Sequence, residues 1–173
     1  DDLMDVVVEV KEKPTGTFQV GAGFSSAESF IAQAQVAQNN LFGRGQTLSL
    51  QATLSKIRTI ANVQFADNYL LDTMVRFAAD VYRYETQLQD FTRNSLGGSL
   101  TFGLPIGDDW SVAMTYTLEE VSVSSGGFGA ASAPPIANLY ADGITSSLRG
   151  SLIYDTRNNR LFPSDGWFAL ASV

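Results

Sequence analysis

The chain has 173 residues, a formal net charge of −7 and only 17% charged residues, fewer than a typical soluble domain carries. Its 11 basic residues form no stripe interleaved with aromatic side chains, so we expect no nucleic-acid partner. The sequence contains neither cysteine nor histidine. This excludes disulfides, thiolate and imidazole metal ligands, and the nucleophiles and bases that these side chains supply.

The hydropathy of the chain indicates which kinds of membrane-spanning structure it could form. The mean hydropathy is +0.02, and no window offers the roughly 18 consecutive apolar residues of a spanning helix. A transmembrane β-barrel remains possible, because its strands show lipid only with every second side chain and average out near neutral hydropathy.

The amino-terminal segment predicts the end of a separate unit. The run from Val6 to Val10 predicts a short strand, and Pro14 interrupts strand pairing because proline has no backbone N–H. We therefore place a domain boundary here, with residues 1–14 in a preceding domain and residues 15–173 in a second one.

The first three strands of the second domain share a period of two. Strand one begins at Thr17 with TFQVGAGF, and strand two covers residues 30–36. The segment NNLFGRG leads into strand three at residues 47–55, where Leu and Ala alternate with Thr, Ser and Gln without a break. Asn and Gly tolerate the positive φ of a tight reversal, so NNLFGRG predicts a turn.

Six further strands continue this alternation, at residues 61–65, 75–81, 95–104, 110–118 and 147–155 and from Trp167 onward. The predicted connections are ADNYLLD, a turn over Pro105, Gly107 and Asp108, a long loop over residues 122–143 and TRNNRLFPSDG. On strand five we expect charges only on the face opposite the apolar one.

Both a soluble sandwich and a membrane barrel have a period of two. Strands of roughly ten residues, tilted by about 40°, span the height of about 25 Å of an outer-membrane apolar band. The second face carries Gln, Ser and Thr on strand after strand, and aromatic residues lie near strand ends. We therefore predict an all-β, antiparallel transmembrane β-barrel whose lipid-facing residues include Leu48, Leu50, Leu54, Val63, Phe65, Val75, Phe77 and Phe102.

Whether a strand is odd- or even-numbered determines at which end of the barrel the turn after it lies. Bacterial barrels have an even number of strands and leave no edge open in lipid, so nine strands predict that the carboxyl-terminal part lies beyond this chain. The turns after strands two, four, six and eight share one rim with the start of strand one. The most distinctive residues of this turn rim are Asn40, Phe42, Gly43, Asp67, Tyr69, Asp155, Arg157, Asn158, Phe162, Pro163 and Gly166.

Four segments together resemble one known family: VVVEVKEKPTGTFQVGAGF, NNLFGRGQ, FADNYLLD and DTRNNRLFPSDG. Their order and spacing, over essentially the full chain, are similar to those of the outer-membrane β-barrel assembly factors, the BamA-like members of the bacterial surface antigen superfamily. The resemblance implies that residues 1–14 end a periplasmic POTRA-type domain. It also implies that residues 15–173 are the amino-terminal nine strands of a sixteen-stranded barrel, and that the turn rim faces the periplasm.

The resemblance implies a function as well. The family binds unfolded barrel precursors and inserts them into the Gram-negative outer membrane without nucleotide hydrolysis, so we expect no enzyme activity and no cofactor. The expected partners are outer-membrane lipid, unfolded β-barrel precursor polypeptides and the accessory lipoproteins of an assembly complex. The expected location is the bacterial outer membrane, with the amino terminus in the periplasm.

Strand one is the candidate site. In the family it closes the wall against the final strand along a short seam that can open, and an open edge is a template for strand addition by another chain. Gly21 and Gly23 either weaken this strand or only relieve crowding inside the barrel. The predicted substrate-pairing residues are Thr17, Phe18, Gln19, Val20, Gly21, Ala22, Gly23 and Phe24.

Two functional alternatives remain open. One is a polypeptide-secreting or autotransporter-assembling pore of the same superfamily, and the other is a passive porin-like barrel. A lipid-hydrolysing barrel would need a serine with a base, and no histidine is present to supply it.

We predict no catalytic, cofactor or metal site. The sequence Gly21-x-Gly23 is not followed by a helix that could bind phosphate. Turn formation explains the pairs Asp108 with Asp109 and Asp155 with Asp165 better than acid–base chemistry or metal binding does. Arg149 and Asp155 fall on the polar face of strand eight, where we expect an ion pair that braces the wall.

Overall fold

The computed structural model describes Glu9 and residues 13–88, 91–125 and 142–173. These residues form one antiparallel sheet of nine strands, each hydrogen-bonded to the next in chain order. The strands are β1 (Gly16–Ser25), β2 (Ser29–Leu41), β3 (Gln46–Ser55), β4 (Arg58–Asp67), β5 (Arg76–Gln87), β6 (Phe91–Ile106), β7 (Trp110–Ser125), β8 (Gly143–Asp155) and β9 (Phe168–Ser172).

The all-β antiparallel prediction is therefore confirmed. Within the described ranges, no helix is long and apolar enough to cross a membrane. Apart from Glu9, the predicted short strand before Pro14 lies outside the described residues, and so does most of the predicted long loop, residues 126–141.

Strand β2 is longer than its apolar pattern predicts. It continues to Leu41, and its register with β3 shifts between Asn39 and Leu41. Asn40 takes a φ of 58° at this irregularity, a left-handed conformation that asparagine tolerates better than most residues. The reversal predicted over NNLFGRG is thus confined to residues 42–45.

The turn predicted over Pro105, Gly107 and Asp108 is confirmed at Gly107 and Asp108, but it begins after Pro105. Strand β6 runs on to Ile106, with Pro105 opposite Ser111 of β7, and the turn occupies residues 107–109. The ladder between β5 and β6 ends at Gly103, so no β5 residue lies opposite Pro105 to accept the hydrogen bond that proline cannot donate. The long-loop prediction was also too wide, since residues 122–125 belong to β7 and Gly143 begins β8.

The register sorts the side chains into an apolar and a polar face. Across the sheet, Phe18 pairs with Val36, Val36 with Leu50, Leu50 with Val63, and Val63 with Val81. None of the described hydrophobic side chains is buried, whereas Thr53 and Ser95 on the polar face are. Side chains crowd one another on the inside of a curved sheet, so the polar face is the concave one.

The alternation of exposure along β7 supports this assignment. Val112, Met114, Tyr116 and Leu118 are exposed, and the alternate, mostly polar residues of the opposite face are half-buried. A soluble sandwich would bury its apolar face against a second sheet. An apolar face turned outward with polar groups inside is the arrangement of a barrel wall in lipid.

The apolar face has a limited height. On β6 it runs from Leu96 to Ile106, which at the usual rise and tilt spans about 25 Å. On β5 it ends at Val81, and Arg83 and Glu85 follow on the same face with a partly exposed ion pair of 3.9 Å. The expectation that strand five carries charges only on the opposite face holds over the predicted residues 76–81, and the charged pair lies in the part of β5 beyond them.

Candidate functional site: strand β1 and the turn rim

Strand β1 forms one edge of the sheet. All of its residues from Gly16 to Ser25 pair with β2, and its other side has no strand partner among the described residues. The whole predicted substrate-pairing segment, residues 17–24, lies in this strand. Phe18 and Phe24 are 72% and 82% exposed on the apolar face.

The two central glycines of β1 are not equivalent. A Cβ at Gly21 would lie 2.8 Å from Nε2 and 3.0 Å from Cγ of Gln33, so the Gln33 side chain covers this glycine. A Cβ at Gly23 would meet nothing within 4 Å. Relief of crowding therefore explains Gly21 but not Gly23.

The first turn of the rim has a strained, tightly bonded backbone. Phe42, Gly43 and Gly45 have φ values of 55°, 75° and 70°. The side-chain Oδ1 of Asn40 accepts a hydrogen bond of 2.7 Å from the N–H of Gly45, which closes the turn. Phe42 is 87% exposed, so this turn presents an aromatic ring at the rim.

A buried carboxylate joins the first turn to the second. Asp67 is 4% exposed and accepts hydrogen bonds from Gln46 Nε2 at 2.8 Å and from the N–H of Tyr69 at 2.9 Å. The sequence indicated Asp67 and Tyr69 as turn residues but gave no sign of Gln46, because the contact depends on the pairing of β3 with β4. After it, Leu71 and Asp72 both have positive φ.

The last turn of the rim is built on Arg157. Its guanidinium donates two hydrogen bonds to Asp155, of 2.8 and 3.0 Å, and lies 4.6 Å from the centre of the Phe168 ring. The hydrogen bonds from Arg157 to Asp155 raise the pKa of the guanidinium above its usual value. Arg160 adds a second ion pair with Asp155 at 3.6 Å.

The ion pair predicted between Arg149 and Asp155 is wrong. Both residues lie on the polar face of β8, but six residues along a strand separate them by about 20 Å. Asp155 lies at the end of the strand, where Arg157 reaches it from the turn.

The middle of this turn is organised by Asn158. Its Oδ1 accepts hydrogen bonds from the N–H groups of Ser164 and Asp165, and its Nδ2 donates to Ser164 Oγ at 2.8 Å. Pro163 lies within this bonded segment, and Phe162 is exposed beside it. Gly166 has a φ of 105°, and a Cβ there would lie 2.7 Å from Arg157 Cα.

No group of three or more metal-ligating side chains occurs among the described residues. The site is therefore a surface of backbone groups and turns: a strand edge at one end of the sheet and a rim of rigid loops. Such an edge can form hydrogen bonds along an added strand.

The fold and the site define the class of protein: this chain forms part of the wall of an antiparallel β-barrel whose apolar face points outward. The chain belongs to the Omp85 superfamily, whose domain matches residues 40–173. The sheet also matches part of a crystal structure of BamA from Haemophilus ducreyi lacking POTRA domains 1–3, with a TM-score of 0.61 and 19% identity over 94% of this chain and 34% of that one.

Curated relatives agree with this assignment. The outer membrane protein assembly factor BamA of Nitratidesulfovibrio vulgaris is 33% identical over 119 residues, which are 69% of this chain and 15% of that protein. The factors of the same name from Neisseria meningitidis serogroup B and Neorickettsia risticii are 24% and 27% identical, over 72% and 64% of this chain and 16% and 15% of their own lengths. The chain thus spans about 15% of the relatives' length and corresponds to a BamA-like portion of a barrel.

Proposed function

We propose that the protein containing this chain folds β-barrel precursors and inserts them into the bacterial outer membrane, with β1 as the strand that pairs with precursor strands. The observation that supports the proposal is the place of β1 as the first strand of the sheet, where residues 17–24 pair with β2 on one side and with no described strand on the other. The names of the curated relatives support the assembly role.

The proposal includes an orientation. We infer that residues 1–14 end a POTRA-type domain and that the turn rim faces the periplasm, because the rim lies at the same edge as the start of β1. The expected partners are outer-membrane lipid, unfolded precursor polypeptides and accessory lipoproteins, and no enzyme activity is proposed.

The lipid contacts follow from the two faces. Leu48, Leu50 and Leu54 of β3 pair with Phe65, Val63 and Thr59 of β4, so these apolar side chains form one surface. Phe77 and Phe102 extend it, with ring centres 5.1 Å apart. Val75 lies one residue before β5, where its carbonyl oxygen accepts a hydrogen bond from the N–H of Leu70.

Strand addition at β1 is tested by disulfide trapping, since the chain has no native cysteine. Phe18→Cys and Val20→Cys are each combined with single cysteines placed along the terminal strand of a precursor. Because paired strands share a register, moving the cysteine by two residues on β1 should move the trapped position on the precursor by two.

Val63→Cys is the matched control, since Val63 is also an exposed valine on the apolar face but belongs to β4, which has a neighbour on both sides. It should trap no precursor. Equal trapping from Val63→Cys and Val20→Cys, or trapping at β1 without a register step, would contradict strand addition.

A further inference from the structure

Five carboxamide side chains lie together on the concave face beside the free edge of β1. Gln19 pairs with Gln35 of β2, Gln35 with Gln51 of β3, and Gln51 with Asn62 of β4. Gln33 lies on the same face of β2, opposite Gly21. We call Gln19, Gln33, Gln35, Gln51 and Asn62 the carboxamide patch; at the usual strand spacing its four-strand row extends about 15 Å inward from the edge.

The amides of the patch have no partner within the described part of the chain. Carboxamides on neighbouring strands can bond to one another in ladders, yet none of these five side chains donates or accepts a hydrogen bond there. Asn62 Oδ1 is buried and still unpaired. Asn62 lines neither of the two cavities over the patch, whereas the four glutamines are exposed, so their amide groups are the ones that a ligand can reach.

Open space lies over the patch. A cavity of about 500 Å³ is lined by Gly21, Gly23, Gln33, Gln51 and Ile60, among others. A smaller one of about 150 Å³ adjoins it, lined by residues that include Gln19, Gln35 and Gln51. Because Gly23 has no side chain, the larger cavity extends as far as the edge strand.

The chemistry of this surface selects its ligand. Arg58 is the one charged residue lining the two cavities, and its Nε is 2.9 Å from Glu28 Oε2, so the surface offers no free charge for an anion or a cation. A carboxamide presents donors and an acceptor and can rotate to exchange them. The complementary ligand is neutral and carries donors and acceptors at short, regular intervals, as the main chain of an unfolded polypeptide does.

We propose that the carboxamide patch binds the main chain of an unfolded precursor polypeptide inside the barrel, whatever its side chains, next to the strand with which it will pair. This inference rests on the proposed function, because that function supplies the precursor. The patch would hold an extended segment through its peptide groups beside β1, raising its local concentration at the edge.

The test uses the full-length protein in liposomes with a photocrosslinking amino acid at Ile60, which lines the larger cavity. The probes are an unfolded barrel precursor and a second polypeptide with the same composition in scrambled order. Both should crosslink at Ile60, and a crosslinker at Ser147, on the concave face of β8, should capture much less of either.

The amides are tested by Gln35→Met combined with Gln51→Met, which keeps side-chain length and removes the hydrogen-bonding groups. Losing about two hydrogen bonds should raise the precursor concentration for half-maximal crosslinking roughly ten-fold. Gln64→Met is the matched control, because Gln64 is a glutamine on the concave face of β4 that lines neither cavity. Heat-modifiable electrophoretic mobility verifies that each variant is folded.

Three results would overturn the inference. Unchanged crosslinking in the double variant would mean that the amides only bind water. Capture of the native precursor but not of the scrambled chain would mean recognition through side chains. Displacement of the precursor by maltoheptaose, a neutral oligosaccharide, would indicate a glycan site. Failure of disulfide trapping at Val20→Cys, with crosslinking at Ile60 intact, would contradict strand addition alone.

Discussion

Replacing Gly166 with alanine should strongly destabilise the turn between β8 and β9. At a φ of 105°, an alanine is strained by about 1–3 kcal/mol. Its Cβ would also overlap the carbonyl oxygen of Thr156 and lie 2.7 Å from the Cα of Arg157. These are backbone atoms, so the overlap can be relieved only if the turn itself moves.

Movement of the turn has a further cost. Thr156 and Trp167 close its base, with an N–H to carbonyl hydrogen bond of 2.9 Å and a hydrogen bond of 2.8 Å from the N–H of Trp167 to Thr156 Oγ1. Each contributes about 1 kcal/mol. We therefore expect Gly166→Ala to lower the free energy of unfolding by about 3 kcal/mol or more.

The matched control is Gly107→Ala in the turn between β6 and β7. Gly107 also has a positive φ, of 69°, but a Cβ there would meet nothing within 4 Å. Its cost should be about 1 kcal/mol, from the left-handed backbone alone. The assay is urea unfolding of the full-length protein in liposomes, followed by electrophoretic mobility. Equal losses for the two variants would refute the steric reasoning.

Two smaller effects are expected at other positions, in β1 and at the buried carboxylate of Asp67. Gly21→Ala should lower the unfolding midpoint in urea only slightly, because its Cβ meets the exposed side chain of Gln33, which can move aside, whereas Gly23→Ala should leave the midpoint unchanged; a larger loss at Gly23 would contradict the assignment. Gln46→Leu should lower the free energy of unfolding by roughly 1–3 kcal/mol, since it leaves the buried carboxylate of Asp67 short of a partner. An unchanged unfolding curve would show that water replaces the amide.

The strands were predictable because one physical rule acts on all of them. A sheet with one apolar and one polar face imposes alternation on each strand separately, so segments such as residues 47–55 and 110–118 carry the signal by themselves. Strand ends were harder to predict. Strand β6 continues through Pro105 because its ladder with β5 ends at Gly103, so no strand needs the N–H that proline lacks. The position of that neighbouring strand cannot be read from the local sequence.

Contacts that depend on register were outside the reach of the sequence. The carboxamide patch becomes visible only when Gln19, Gln35 and Gln51 are aligned across three strands. Likewise, Asp155 was identified as a turn residue, but its partner was assigned along the strand instead of across the turn to Arg157. The alternation of apolar and polar residues shows on which face of the sheet a side chain lies, but only the pairing of the strands shows which side chains are its neighbours.

The most direct test of the central claim is a comparison of single cysteines at Leu50 and Gln51, neighbours on β3 that face opposite sides of the sheet. In liposomes holding the full-length protein, a water-soluble maleimide should label Gln51→Cys and spare Leu50→Cys. A fluorophore attached at Leu50→Cys before reconstitution should be quenched by nitroxide-labelled acyl chains. Equal maleimide labelling at both positions, or no quenching at Leu50→Cys, would contradict a wall that faces lipid on one side and water on the other.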